Sequence, residues 1–216
     1  MCYTRSKIIA FSGGCFSGKT TTMKALQKVL TEKGYKVNVL SELIRNIVDI
    51  PIDELRKDAV KYFEVQKKII TEKINQERHA FNAIYKDLNC DCKYNTIFLV
   101  DRAISDSLFY FENYVDKSRL PDDKIIEYCK FHEHLVEYTY RAFRNYSVVA
   151  EFAPINNSTN TDIFRPKNID FLKHYEHDVI QRINAVFNVV SNVSLYDLNK
   201  QSINEVVEDI IKKAGL

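Results

Sequence analysis

Glycine is scarce in this 216-residue chain: there are five, and three of them fall between positions 13 and 18. Such clustering marks a place where the backbone must take a conformation that other residues resist. Cysteine is no more plentiful. Cys2, Cys15, Cys90, Cys92 and Cys129 form no paired framework, and Cys90-Asp-Cys92 lacks a second pair at zinc-binding spacing. Reduced thiols in a cytoplasm are the expected state. No apolar run reaches the length of a membrane span, and none near the start has the length of a signal-peptide core. Neither sign of charge dominates: 31 basic against 29 acidic side chains give +2. Nothing global therefore points to nucleic acid or to a membrane, although a local basic surface is compatible with that balance. Repeats, low-complexity tracts and proline- or glycine-rich linkers are missing as well. What remains is 45% apolar and 28% charged, the make-up of one ordinary globular domain.

Short β-branched runs alternate with longer amphipathic stretches, the pattern of a parallel sheet with crossover helices. Strands are expected at Lys7–Ser12, Tyr35–Leu40, Thr96–Val100 (ending in Asp101), Tyr146–Phe152 and Val193–Leu198. Met23, Leu26, Val29 and Leu30 sit at helical spacing, with Gly34 placed to end their helix. The polar region from Ile52 to about Leu88 reads as two helices, with Val60, Phe63, Ile70, Ile74, Phe81 and Ile84 inward. A helix over Ser105–Tyr114 and another opening after Pro121 follow. A further helix carries Ile169, Leu172, Val179, Ile180, Ile183 and Phe187, and Ser202-Ile-Asn-Glu205 is a capping box for the last one. The expected fold is α/β: a doubly wound, five-stranded parallel sheet with helices on both faces, and ligands at the carboxyl ends of the strands.

The clustered glycines belong to Gly13-Gly-Cys-Phe-Ser-Gly18-Lys19-Thr20, which fits G-x-x-x-x-G-K-[ST]. Phosphate oxygens need several backbone N–H groups converging on them, and glycine lets the chain curl that tightly. Lys19 supplies a point charge for β/γ phosphates, the Thr20 hydroxyl suits Mg²⁺, and the following helix adds its positive end. The expected nucleotide contacts are Gly13, Gly14, Cys15, Phe16, Ser17, Gly18, Lys19, Thr20 and Thr21. At this composition the pattern arises by chance on the order of once in a thousand chains.

A phosphate loop of this kind calls for a carboxylate at a neighbouring strand tip. Thr-Ile-Phe-Leu-Val-Asp101 offers one, for the metal or for a substrate hydroxyl; the bland alternative is a turn-capping Asp. Glu42, just past the second strand, is placed to take a proton from an attacking hydroxyl, with Arg45 one helical turn along. An exposed Glu–Arg pair at a helix start is the alternative. Phe63 and Gln66 suit a planar base, by stacking and by hydrogen bonding, and core packing explains Phe63 equally well. His174/His177 and His132-Glu-His134 lack a third ligand and read as solvated helix faces.

These residues together resemble the nucleoside and nucleotide kinase branch of P-loop proteins, and within it ribosylnicotinamide-kinase-type domains. Those show a phosphate loop, then Glu-x-x-Arg after strand two, then Asp-Arg followed by a second Asp. Here the sequences are Glu42-Leu-Ile-Arg45 and Asp101-Arg-Ala-Ile-Ser-Asp106. The resemblance implies substrate roles for Arg45, Arg102 and Asp106. It also implies a mobile loop after strand four, matched loosely by Asp162-Ile-Phe-Arg165 within a candidate lid at 154–168. Thymidylate and deoxynucleoside kinases share this layout, and in such kinases the helical region at 52–90 is where substrate is gripped.

The expected activity is transfer of the γ-phosphoryl of Mg-ATP to a hydroxyl of a nucleoside, nucleotide or related acceptor. Arg144 or Arg165 would close over the phosphates. Two rivals stand beside it: a kinase acting on a polynucleotide or a modified base in DNA, and a nucleotide-hydrolysing switch. A GTPase is disfavoured because Asn199-Lys200-Gln-Ser lacks the Asp of the guanine signature. No membrane partner is expected, and a homodimer is open.

Overall fold

The computed structural model describes residues 6–41, 43–88, 96–155, 169–190 and 192–216. Five strands form one all-parallel sheet: β1 (Lys7–Ser12), β2 (Lys36–Leu40), β3 (Thr96–Asp101), β4 (Val148–Phe152) and β5 (Val193–Tyr196). Their order is β2-β3-β1-β4-β5. The chain thus leaves β1 for one edge, returns beside it with β3, then crosses to β4 on its other side. That reversal opens a crevice at the carboxyl end of β1, where ligands bind in such sheets.

Both faces of the central strands β1, β3 and β4 are covered, so these are apolar on both faces. Ile9, Phe11, Leu99, Val148, Ala150 and Phe152 pack against α1 (Lys19–Glu32) and α8 (Ile203–Ala214). The alternate positions Ile8, Ala10, Phe98, Val100 and Val149 meet the larger layer. It contains α2 (Ile44–Ile47), α3 (Ile52–Leu55), α4 (Ala59–Leu88), α5 (Ile104–Tyr114), α6 (Asp122–Phe143) and α7 (Ile169–Phe187). Burying each such aliphatic or aromatic side chain is worth about 1.5–3 kcal/mol. This parity has a consequence. Ser12 and Glu151 continue the second series, so their polar side chains enter the layer beneath α5 and α7 rather than solvent.

Helix ends follow the chemistry of their residues. Gly34, at φ 86°, ends α1, with the N–H of Tyr35 returning to the Leu30 carbonyl. Ser202 and Glu205 cap each other at α8. One expectation is corrected between 52 and 88. In place of two helices with no very long one stand the single turn α3 and an unbroken 30-residue α4, about 45 Å long. No glycine or proline lies within it to end it earlier. Among the described residues no helix is long and apolar enough to cross a membrane.

Candidate functional site

β1 delivers Ser12 to the crevice, and the chain then winds back into α1 through Gly13–Gly18. Gly13 has φ 127°, and a Cβ there would lie 2.5 Å from the Phe152 carbonyl oxygen of β4. Only glycine passes that point. Phe16 and Gly18 also take positive φ, at 59° and 79°. The loop therefore alternates in hand, the backbone pattern from which anion-binding nests are built. α1 has no acidic residue in its first turn, so its positive end is left for a ligand.

Lys19 lies inside this curl. Its ammonium donates to the carbonyls of Gly13 (2.7 Å) and Gly14 (2.6 Å) and to Ser17 Oγ (3.0 Å). Burial, and then the Arg102 guanidinium, lower its pKa to about 8. Thr20 and Thr21, the next two residues, are exposed.

Asp101 ends β3 in register with Phe11, which brings its carboxylate to the strand tip beside the loop, 9% exposed. The chain then turns sharply: Arg102 has φ 68°, and Ala103 donates its N–H to the Phe11 carbonyl at 2.7 Å. This turn aims Arg102 back at the loop. Its Nη1 lies 3.6 Å from Asp106 and 3.1 Å from the Tyr110 hydroxyl, with Gly13 O at 3.5 Å.

Asp106 is fully buried in the first turn of α5. Its Oδ1 accepts from Ser12 Oγ at 2.5 Å and its Oδ2 from the Gly13 N–H at 3.3 Å. Burial raises its pKa to about 6, with Arg102 and Lys19 holding it back. It clamps the start of the loop.

Four participants belong to no sequence motif. Glu176 of α7, 1% exposed, accepts the Cys15 N–H at 3.0 Å and the Tyr114 hydroxyl at 3.2 Å. Eight residues along the same face, buried Asn184 donates to Ser12 Oγ (2.9 Å) and to Glu151 (3.0 Å). Burial pushes the Glu151 carboxyl up to about 7. Lys73, on α4, donates to the Asp101 carbonyl at 3.0 Å and lies 3.9 Å from buried Glu77. The signal the sequence does offer is polarity out of phase: Glu176 and Asn184 share the face of Ile180 and Phe187, and Glu151 interrupts an apolar strand.

Several expectations are corrected. Arg144 follows α6 at the amino end of the strands: Ser147, three residues on, bonds Ile8 near the start of β1. The length of β1, about 15–20 Å, separates it from the loop, and its guanidinium rests on Tyr140. Phe63 is 0% exposed and packs in the core among Phe111 and Tyr128, while Gln66 is buried at 5% exposure. His177 does not face solvent: it lies 4.0 Å from Glu151, 13% exposed, and burial lowers its pKa. His132 contacts Glu112 at 2.6 Å. Glu42, Asp162, Arg165, residues 156–168 of the candidate lid at 154–168, and Cys90/Cys92 lie outside the described residues, as does the Arg45 side chain. Among the described residues no three His, Cys, Asp or Glu side chains group as a metal site.

A family profile described as an AAA domain matches residues 8–153, more than half of the chain and all of the elements that build the loop. The chain belongs to that family. This AAA-domain protein is also similar in fold to two solved structures of NadR protein. One is in complex with NAD and AMP-PNP: TM-score 0.61, 17% identity, 98% of this chain and 50% of that one covered. The other is in complex with NR: TM-score 0.61, 18% identity, with 98% and 52% covered. At such identity the likeness concerns the fold alone, and the AAA-domain protein spans about half the length of these structures. Among curated proteins none matches significantly.

Proposed function

We propose that this AAA-domain protein is a kinase that moves the γ-phosphoryl group of Mg-ATP onto a hydroxyl of a nucleoside, nucleotide or related acceptor. The observation that carries this reading is the gathering of charge around one phosphate-sized curl. A buried ammonium, Lys19, stands with the Asp101 carboxylate, the Arg102 guanidinium and the Thr20 hydroxyl at the carboxyl end of β1 and β3. Phosphoryl transfer asks for positioning and charge stabilisation more than for covalent chemistry, and this set supplies both.

The residues fit the metal and the nucleotide. Gly13 leaves no room for a side chain, the first turn of α1 carries the Thr20 hydroxyl, and the tip of β3 carries the Asp101 carboxylate. Thr20 and Asp101 would hold Mg²⁺, which offsets charge on the β/γ oxygens. Lys19 would shift from the loop carbonyls to those oxygens. Glu42, just beyond β2, is the proposed base for the acceptor hydroxyl. Arg165 remains the proposed closing guanidinium now that Arg144 lies at the amino end of the strands. The resemblance to ribosylnicotinamide-kinase-type domains and the ligands of the two NadR structures support a nucleoside-like acceptor.

The test is a screen of nucleosides, nucleotides and short DNAs for acceptor-dependent ADP release. One class should accelerate release at least tenfold over ATP and Mg²⁺ alone. Release indifferent to every acceptor would replace the kinase with a nucleotide-driven switch.

A further inference from the structure

Beside the loop, two stacked tyrosines carry an arginine with an unfilled donor. Tyr110 and Tyr114, one turn apart on α5, have ring centroids 5.7 Å apart at 21°. Arg102 lies over the first ring at 5.2 Å. Arg56, at the end of α3, lies over the second at 3.9 Å and near Tyr62 at 5.7 Å. We infer that Arg56 binds an anionic group, phosphate or carboxylate, carried by the acceptor, and so selects anionic acceptors over neutral nucleosides. This rests on the kinase reading above.

Three observations carry it. First, Arg56 Nε is buried and has no hydrogen-bond partner among the described residues. A buried donor left unmade is costly, more so on a charged group, and an acceptor brought from outside would satisfy it. The carboxylate at ion-pair distance, Asp53, reaches only Nη1, at 3.9 Å and half exposed. Second, the backbone of Arg56 is fixed. Its N–H bonds Ile52 O at 3.0 Å, and Arg119 donates to its carbonyl at 3.3 Å and to that of Lys57. A guanidinium held on an aromatic face from an anchored turn is preorganised, and its planar fork matches two oxygens of phosphate or carboxylate.

Third, the site is contiguous with the phosphate loop. The Tyr114 hydroxyl bonds Glu176, whose second oxygen takes the Cys15 N–H. Arg56 therefore stands one tyrosine and one carboxylate from the loop backbone. Both oxygens of Glu176 accept from donors of their own, the Tyr114 hydroxyl and the Cys15 N–H. An acceptor lying on the tyrosine pair would bring one end to the transferred phosphoryl and the other to Arg56.

Calorimetry with saturating Mg²⁺ and AMP-PNP tests this without turnover. The titrants are the common nucleosides and nicotinamide riboside, each beside its monophosphates and its 5′-carboxylate; the two anionic arms separate phosphate from carboxylate. For at least one base, an anionic member should bind ten or more times tighter than its nucleoside. Arg56→Met should bring that ratio to about one, with AMP-PNP affinity retained as the check on folding. Arg56→Lys, which keeps charge but loses the fork, should leave an intermediate ratio. No anionic preference in the unaltered protein, or a preference that survives Arg56→Met, overturns the inference. If the Arg56-dependent preference is found but no acceptor ever receives phosphate, the site stands and the kinase reading falls. Phosphate transfer to neutral nucleosides with no anionic preference leaves the kinase standing and removes the site.

Discussion

At the scale of single residues, buried charge sets the loop's chemistry. Asp106, Ser12, Asn184 and Glu151 form one hydrogen-bonded chain under Gly13, with a carboxylate at each end. Both carboxyls titrate upward from burial, to about 6 and about 7. A carboxyl whose folded pKa lies above its unfolded value contributes stability that is full below the unfolded pKa. That contribution is lost as pH rises through the folded one. For Glu151 the window runs from 4.5 to about 7, and Asp106 acts in the same direction slightly lower. Glu151→Gln keeps an acceptor for Asn184 but cannot ionise. Thermal melts should show a shallower fall in Tm between pH 5 and 7.5 for the variant, with its gain over the native protein confined to the upper end. A parallel pair of curves would contradict the assignment. Glu42 is expected to act on the acceptor rather than on ATP. Glu42→Gln should lower kcat by about two to four orders of magnitude while the ATP Kd changes little; a change in kcat below threefold would remove it as the base.

Among the elements, α4 and α7 hold the site from outside the sheet. α4 reaches it through Lys73, whose ammonium fixes the Asp101 carbonyl just before the left-handed turn at Arg102. Glu77, one turn along, is fully buried and takes the Tyr146 hydroxyl at 2.8 Å. Breaking a buried pair leaves its partner uncompensated, so Lys73→Met should cost about 3 kcal/mol in denaturant unfolding. Lys73→Met with Glu77→Gln should recover most of that loss. A double variant as unstable as the single would mean that the pair is not coupled.

The elements also show what is legible in the sequence. The central strands declare themselves because both faces are apolar, and the loop because glycine is otherwise so rare. Length alone suggests a division of α4; its residues offer no break. Arg144 shows the limit of proximity along the chain, since a residue just before β4 lies at the opposite end of that strand from the loop. Glu176 and Asn184 are hidden within the apolar stripe of α7, because a polar residue in such a stripe declares its partner only once the helix is docked.

At the scale of the whole molecule, the strand order brings everything to one rim. β3 and β4 flank β1, so the tip of β3 supplies Asp101 and Arg102 to one side of the loop while Phe152 closes on Gly13 from the other. The fold likeness to the NadR structures extends over almost the full length of this chain. The kinase reading makes a claim about where the γ-phosphoryl goes, and the most direct measurement follows it. In a single-turnover quench with γ-labelled ATP, Mg²⁺ and an acceptor found by the screen, the label should pass to the acceptor with little free phosphate. Lys19→Ala should stop the transfer while the melting curve stays cooperative, because Lys19 bonds the loop and not the core. Label recovered as inorganic phosphate at a rate independent of acceptor, or transfer undiminished in Lys19→Ala, would contradict the account.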